Sequence, residues 1–161
     1  MKKIKYIPFF ALIALLFNSN HGCATTATSN MAVTAIVGTA CTITASPLPF
    51  GAFVGTQLDV NTSVSATCSA GTPYTIDLNE GNGTGATTAT RVMTNTNATS
   101  NALTYSIYTD SGRSTVCGVG CVPSTTGNGN AQSVTLYGRM AANANPYVGP
   151  YTDTVVATLN Y

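Results

Sequence analysis

The sequence predicts an all-β protein, an antiparallel sandwich of short strands. Two observations carry this. Apolar residues alternate with polar ones at period two in several separate segments, and runs rich in Gly, Asn, Ser and Thr divide those segments. The composition agrees: 28 threonines favour pleated backbone, and no helical apolar stripe occurs after residue 24.

Taken in order, the chain opens on a leader. Lys2, Lys3 and Lys5 precede an apolar run from Tyr6 to Phe17. Spanning a bilayer takes roughly 20 residues, so this shorter run reads as a signal-peptide core, with cleavage after Gly22-Cys23-Ala24. Residues 1–24 are therefore assigned to a signal peptide, leaving 137 of the 161 residues. Lipid attachment at Cys23 is the weaker reading, because Asn20 stands where a leucine-like residue belongs.

Residues 25–40 form an N-terminal extension ahead of Cys41. Met31, Val33, Ala35 and Val37 would share one strand face, with Ala32, Thr34 and Ile36 on the other. A domain follows over 41–161. Ser46-Pro-Leu-Pro-Phe-Gly51 is a proline-broken link unsuited to a central strand. From Leu58 to Cys68 the even-numbered residues are mainly apolar and face inward. Tyr74, Ile76 and Leu78 repeat the pattern, as do Leu103, Tyr105 and Ile107. Val134 and Leu136 mark a further strand, in which Gly138 signals a bend or close packing. Residues 81–90 and 123–132 read as exposed loops. The last strand is expected to place Tyr151, Val155, Ala157, Leu159 and Tyr161 on one face. It ends the chain with no further strand to cover it, leaving an open edge that calls for a strand from elsewhere.

Charge and residue inventory exclude several functions. Cleavage removes every lysine and the single histidine, His21. What remains is Arg91, Arg113 and Arg139 against Asp59, Asp77, Glu80, Asp110 and Asp153, a formal net charge of −2. No basic patch is left for nucleic acid or anionic lipid. Without histidine there is no Ser-His-Asp or Cys-His catalysis and no His-bound metal. Asp77 and Glu80 lie three apart on a strand and face opposite ways, so they make no glycosidase pair. Neither a catalytic residue, a cofactor nor a small-molecule substrate is expected.

Four cysteines survive cleavage: Cys41, Cys68, Cys117 and Cys121. In an exported chain an even count implies disulfides. Cys117-Gly-Val-Gly-Cys121 can close a local loop, which leaves Cys41–Cys68 as the long bridge. A four-thiolate metal site is the competing arrangement, disfavoured by an oxidising compartment.

Several segments, in this order and spacing, resemble one family. They are Cys41 with Phe50-Gly51, Gly71-Thr-Pro-Tyr-Thr75, Arg91-Val-Met93, Leu103-Thr-Tyr-Ser-Ile-Tyr108, Tyr137-Gly-Arg-Met140 and Gly149-Pro-Tyr-Thr-Asp-Thr-Val155. The chain is similar to spore-coat-protein-U-like domains, which include the pilins of archaic chaperone–usher pili. The resemblance implies an immunoglobulin-like sandwich lacking its last strand. It implies a periplasmic chaperone that fills the gap and an outer-membrane usher that exchanges it for another copy's N-terminal strand. The donor face would then be Met31, Val33, Ala35 and Val37. The acceptor edge would be Tyr151, Val155, Ala157, Leu159 and Tyr161, and the product a head-to-tail surface fibre supporting adhesion or biofilm. The Cys117–Cys121 loop has no counterpart in the family pattern. Two alternatives are a secreted monomeric carbohydrate-binding sandwich using Tyr108, Tyr147 and Tyr151, and a coat protein of spores or resting cells.

Overall fold

A computed structural model describes residues 22, 24–143 and 145–161. The expected signal peptide lies almost wholly outside these residues. The chain divides into two units, Met1–Ile36 and Val37–Tyr161.

Within the first unit, residues 24–36 form no strand or helix, and every side chain is exposed. Alternation alone gives no strand here, since a strand needs a partner ladder to satisfy its N–H and C=O groups.

The second unit holds nine strands: β1 (Cys41–Ala45), β2 (Leu58–Cys68), β3 (Pro73–Leu78), β4 (Arg91–Asn95), β5 (Ala102–Tyr108), β6 (Val122–Thr126), β7 (Ala131–Met140), β8 (Tyr151–Thr152) and β9 (Ala157–Asn160). They form two antiparallel sheets, one in the order β1-β2-β7-β5-β4-β8 and the other β6-β3-β9. The core lies on the inward faces that the alternation predicts. Val64, Ala66 and Cys68 of β2, Tyr74, Ile76 and Leu78 of β3, and Leu103, Tyr105 and Ile107 of β5 are all buried. Register keeps these faces aligned, for example Val64 opposite Val134 and Leu58 opposite Met140.

The proline link at 46–51 contains no strand, as expected. Its Leu48 and Phe50 nevertheless fold onto the core. Gly138 makes room for them: a Cβ there would lie 2.9 Å from Leu48 and 3.2 Å from Phe50. Phe50 meets Tyr105 edge to face, with ring centroids 5.7 Å apart.

Two expectations are corrected. Residues 123–132 are not one loop, because β6 and the start of β7 occupy most of them. Pro123 is tolerated since β6 is a sheet edge and its pairing with β3 shifts register between Tyr74 and Ile76. Nor is 151–161 one strand. β8 pairs with β4 in the larger sheet, while β9 pairs with β3 in the smaller one. The chain changes sheets over 153–156, yet inward and outward side chains still alternate from Tyr151 to Asn160.

Both expected disulfides are present. Cys41–Cys68 joins the paired ends of β1 and β2 across 4.1 Å between Cα atoms. Cys117–Cys121 spans 4.5 Å, with both residues in the core cluster.

Candidate functional site

The site follows from what β9 leaves open. The carbonyl of Val156 accepts a hydrogen bond from the Asn79 N–H at 3.1 Å. In an antiparallel ladder the bonding direction alternates. Residues 156, 158 and 160 thus turn their N–H and C=O groups toward β3, and Ala157 and Leu159 turn theirs away. No other strand pairs with that second side among the described residues. β1 has an open side too, since it pairs only with β2. The two strands run close to one another without pairing.

Between them opens a groove of about 510 Å³. One wall is the end of β1 with Leu48 and Phe50, and the other is Tyr151, Asp153, Val155 and Ala157. Its floor is core: Val64, Leu136, Ile107 and Tyr105 from the larger sheet and Leu78 from β3. A cleft of apolar side chains flanked by two unpaired strand edges has the form that strand addition requires.

One polar cluster is set into the groove wall. Asp153 Oδ2 accepts the Tyr105 hydroxyl at 2.7 Å, and Oδ1 accepts the N–H groups of Asn82 and Thr154, each at 2.7 Å. Gly81, at φ 86°, lies where any Cβ would run into this carboxylate. Burial, reinforced by the hydrogen bond to Asp153, pushes the Tyr105 phenol well above its ordinary value. The cluster therefore fixes the crossover between β8 and β9 and holds the groove wall in place. Among the described residues, no group of three or more His, Cys, Asp or Glu side chains could hold a metal.

On the expected acceptor face, Tyr151, Val155, Ala157 and Leu159 are half-buried and pack against the core. Tyr161 departs from it: the residue lies beyond β9 and is 64% exposed. On the expected donor face, Met31, Val33, Ala35 and Val37 are exposed, Met31 and Val33 each at 86%. Ile36, on the opposite face, is 97% exposed. Of the tyrosines considered for sugar stacking, Tyr147 and Tyr151 come together and Tyr108 does not. Tyr108 stands opposite Tyr137 on the outer sheet face, whereas the Tyr151 hydroxyl donates to the Tyr147 carbonyl beside the proline link.

Sequence reasoning missed Leu48, Phe50 and the Tyr105–Asp153 pair. The first two sit in an aperiodic link, and the pair joins residues 48 apart in sequence. The glycine at 138 was the available signal, because a strand interior gives up its side chain only where something approaches.

Comparison with known proteins adds three findings. The family model described as Spore Coat Protein U domain matches residues 27–158. No curated protein matches the chain. Among solved structures, the chain is similar to one titled as the pre-assembly complex of the CsuC chaperone and the CsuE tip adhesion subunit, from archaic chaperone–usher Csu pili of Acinetobacter baumannii. The TM-score is 0.59 at 24% identity, over 78% of this chain and 40% of that one. A second, titled as a chaperone–tip adhesin complex of CFA/I fimbriae biogenesis, gives 0.40 at 13% identity, over 74% of this chain and 41% of that one. This chain thus spans less than half the length of either.

Proposed function

Because the chain belongs to the Spore Coat Protein U domain family, we propose that it is a structural pilin subunit, polymerised by donating its N-terminal strand to the groove of the next copy. The observation that carries this reading is the apolar groove between two unpaired strand edges, in a chain that also holds an exposed alternating segment at Met31–Val37. Each supplies what the other lacks. The donor strand would gain a ladder on Ala157 and Leu159, and the groove would gain the apolar side chains of Met31, Val33, Ala35 and Val37. Donor and acceptor are different surfaces, so the contact is head-to-tail and extends without closing.

An open groove of this kind is an aggregation hazard until filled. A periplasmic chaperone that lends a strand, and an outer-membrane usher that exchanges it, are the partners this reading requires. The fibre would be displayed at the cell surface, in adhesion or biofilm formation. The role is mechanical, with no catalytic step.

Deleting residues 25–37 while keeping Cys41 tests the proposal. The expected product folds but yields no high-molecular-weight ladder on unboiled gels of surface extracts. Val33→Asp should act the same way, because an unpaired carboxylate in an apolar groove costs several kcal/mol. Full ladders from either variant would refute the donor assignment.

A further inference from the structure

The domain has two distinct poles, set by the ends of β2. One is the Cys68 end, where Cys41 enters the fold and Ala40 and Ser69 join by a 2.9 Å backbone hydrogen bond. The other is the Leu58 end, roughly 33 Å away at strand rise, where the Asn143 N–H donates to the Gly55 carbonyl at 3.0 Å.

This second pole carries an apolar cap. Val54 and Val148 are 79% and 88% exposed, and Tyr147 is 55% exposed. Phe53, Tyr147 and Val148 also line a cavity of about 580 Å³. That cavity shares Leu48, Phe50 and Tyr151 with the groove, so the two lie side by side. Exposed apolar side chains grouped at one end of a domain indicate a covered surface.

Chain direction says what covers it. β9 starts opposite Leu78, at the end of β3 farther from the first pole, and ends at Asn160 opposite Thr75, nearer to it. A donated strand in the stronger, antiparallel pairing runs the other way, so its C-terminal end leaves the groove at the second pole. Only Gly38, Thr39 and Ala40 separate Val37 from Cys41. At full extension that link reaches roughly 14 Å. The donating copy's body is therefore held against the second pole of the acceptor, and it presents its own first pole.

We infer that the cap of Val54, Tyr147 and Val148 is the seat for the neighbouring copy's body, meeting the small-residue surface around the neighbour's Ala70 and Gly71. The inference rests on the strand-donation reading and adds to it a second contact that sets strand direction and stiffens the fibre. Small residues at the first pole let the backbone approach the projecting valines.

Fibres assembled from the full chain carrying Ala70→Cys and Val148→Cys, treated with a short bismaleimide, provide the test. All four native domain cysteines are bonded, so the added thiols react alone. The expected result is a covalent ladder that survives boiling and reduction, with neither single variant giving one. An unboiled ladder that boiling fully dissolves, despite the cross-linker, overturns the inference alone. So does a cross-linked dimer from Ala70→Cys by itself, which would mean first pole against first pole. No unboiled ladder from the unmodified chain would overturn the strand-donation reading and this inference with it.

Discussion

Arg91 shows how one side chain can organise a region that has no apolar alternation. It is fully buried, and its guanidinium donates to the carbonyls of Asn79 and Thr88 at 2.9 Å each, of Cys117 at 2.8 Å and of Leu78 at 3.4 Å. Burial pulls its pKa below the ordinary arginine value, while the charges of Tyr105, Asp153 and Glu80 act in the opposite sense. The planar fork ties β3, the 81–90 loop and the 117–121 loop to one point. Replacing Arg91 with Met would strand these acceptors at about 1–3 kcal/mol for each one left buried and unpaired. Thermal melts should show a loss of several kcal/mol, and Arg91→Lys should rescue little of it, since one ammonium cannot span the fork. A lysine variant as stable as the parent would show that charge alone matters here. At the other end of the scale, Asp59 takes a two-pronged hydrogen bond from Arg139 at 2.8 and 2.7 Å on the outer sheet face. That bond, more than the nearby Arg113 charge, holds the carboxyl below its ordinary value.

Among the elements, the two disulfides separate loop entropy from burial. Sequence spacing alone makes Cys41–Cys68 the costly bridge to lose: closing its loop stabilises by roughly 3 kcal/mol, and a four-residue separation yields about 1.7 kcal/mol less. The structure changes that balance, because Cys117 and Cys121 are both buried, at 0% and 7% exposed, whereas only Cys68 of the long bridge is, and the Cys117 N–H donates to the Ile107 carbonyl at 2.8 Å. Two buried hydroxyls in place of the short bridge cost about 1–3 kcal/mol each. Chemical denaturation should therefore find the Cys117→Ser, Cys121→Ser pair about as damaging as Cys41→Ser, Cys68→Ser. A clearly milder loss would restore the entropic ranking. The same contrast explains which elements were legible in the sequence. β2, β3, β5 and β7 bury one face each, so period two exposed them at once. β4 reads Arg-Val-Met-Thr-Asn and buries two polar ends, Arg91 and an Asn95 whose Oδ1 accepts from the Asn97 N–H, and β6 contains a proline and a register shift. Neither leaves an alternating trace. The inward face from Tyr151 to Leu159 was legible by the same alternation. The opposite groove wall was not, because Leu48 and Phe50 are brought there by tertiary folding.

Among the described residues, the second unit is a core with a gap. Two sheets close over a shared apolar interior, and the closure stops between β1 and β9, where the groove reaches down to Val64 and Ile107. Filling it would pair the free groups of Ala157 and Leu159 and remove apolar surface from water at about 25 cal/mol per Å². The most direct test uses a synthetic peptide copying Thr28–Val37, added while a chain of residues 38–161 refolds. The account predicts a raised melting temperature and a loss of self-association. A scrambled peptide lacking the alternation should do nothing, since a slip of one residue turns every side chain to the wrong face. A domain that is monomeric, stable and indifferent to the peptide would contradict the claim that its groove awaits a strand.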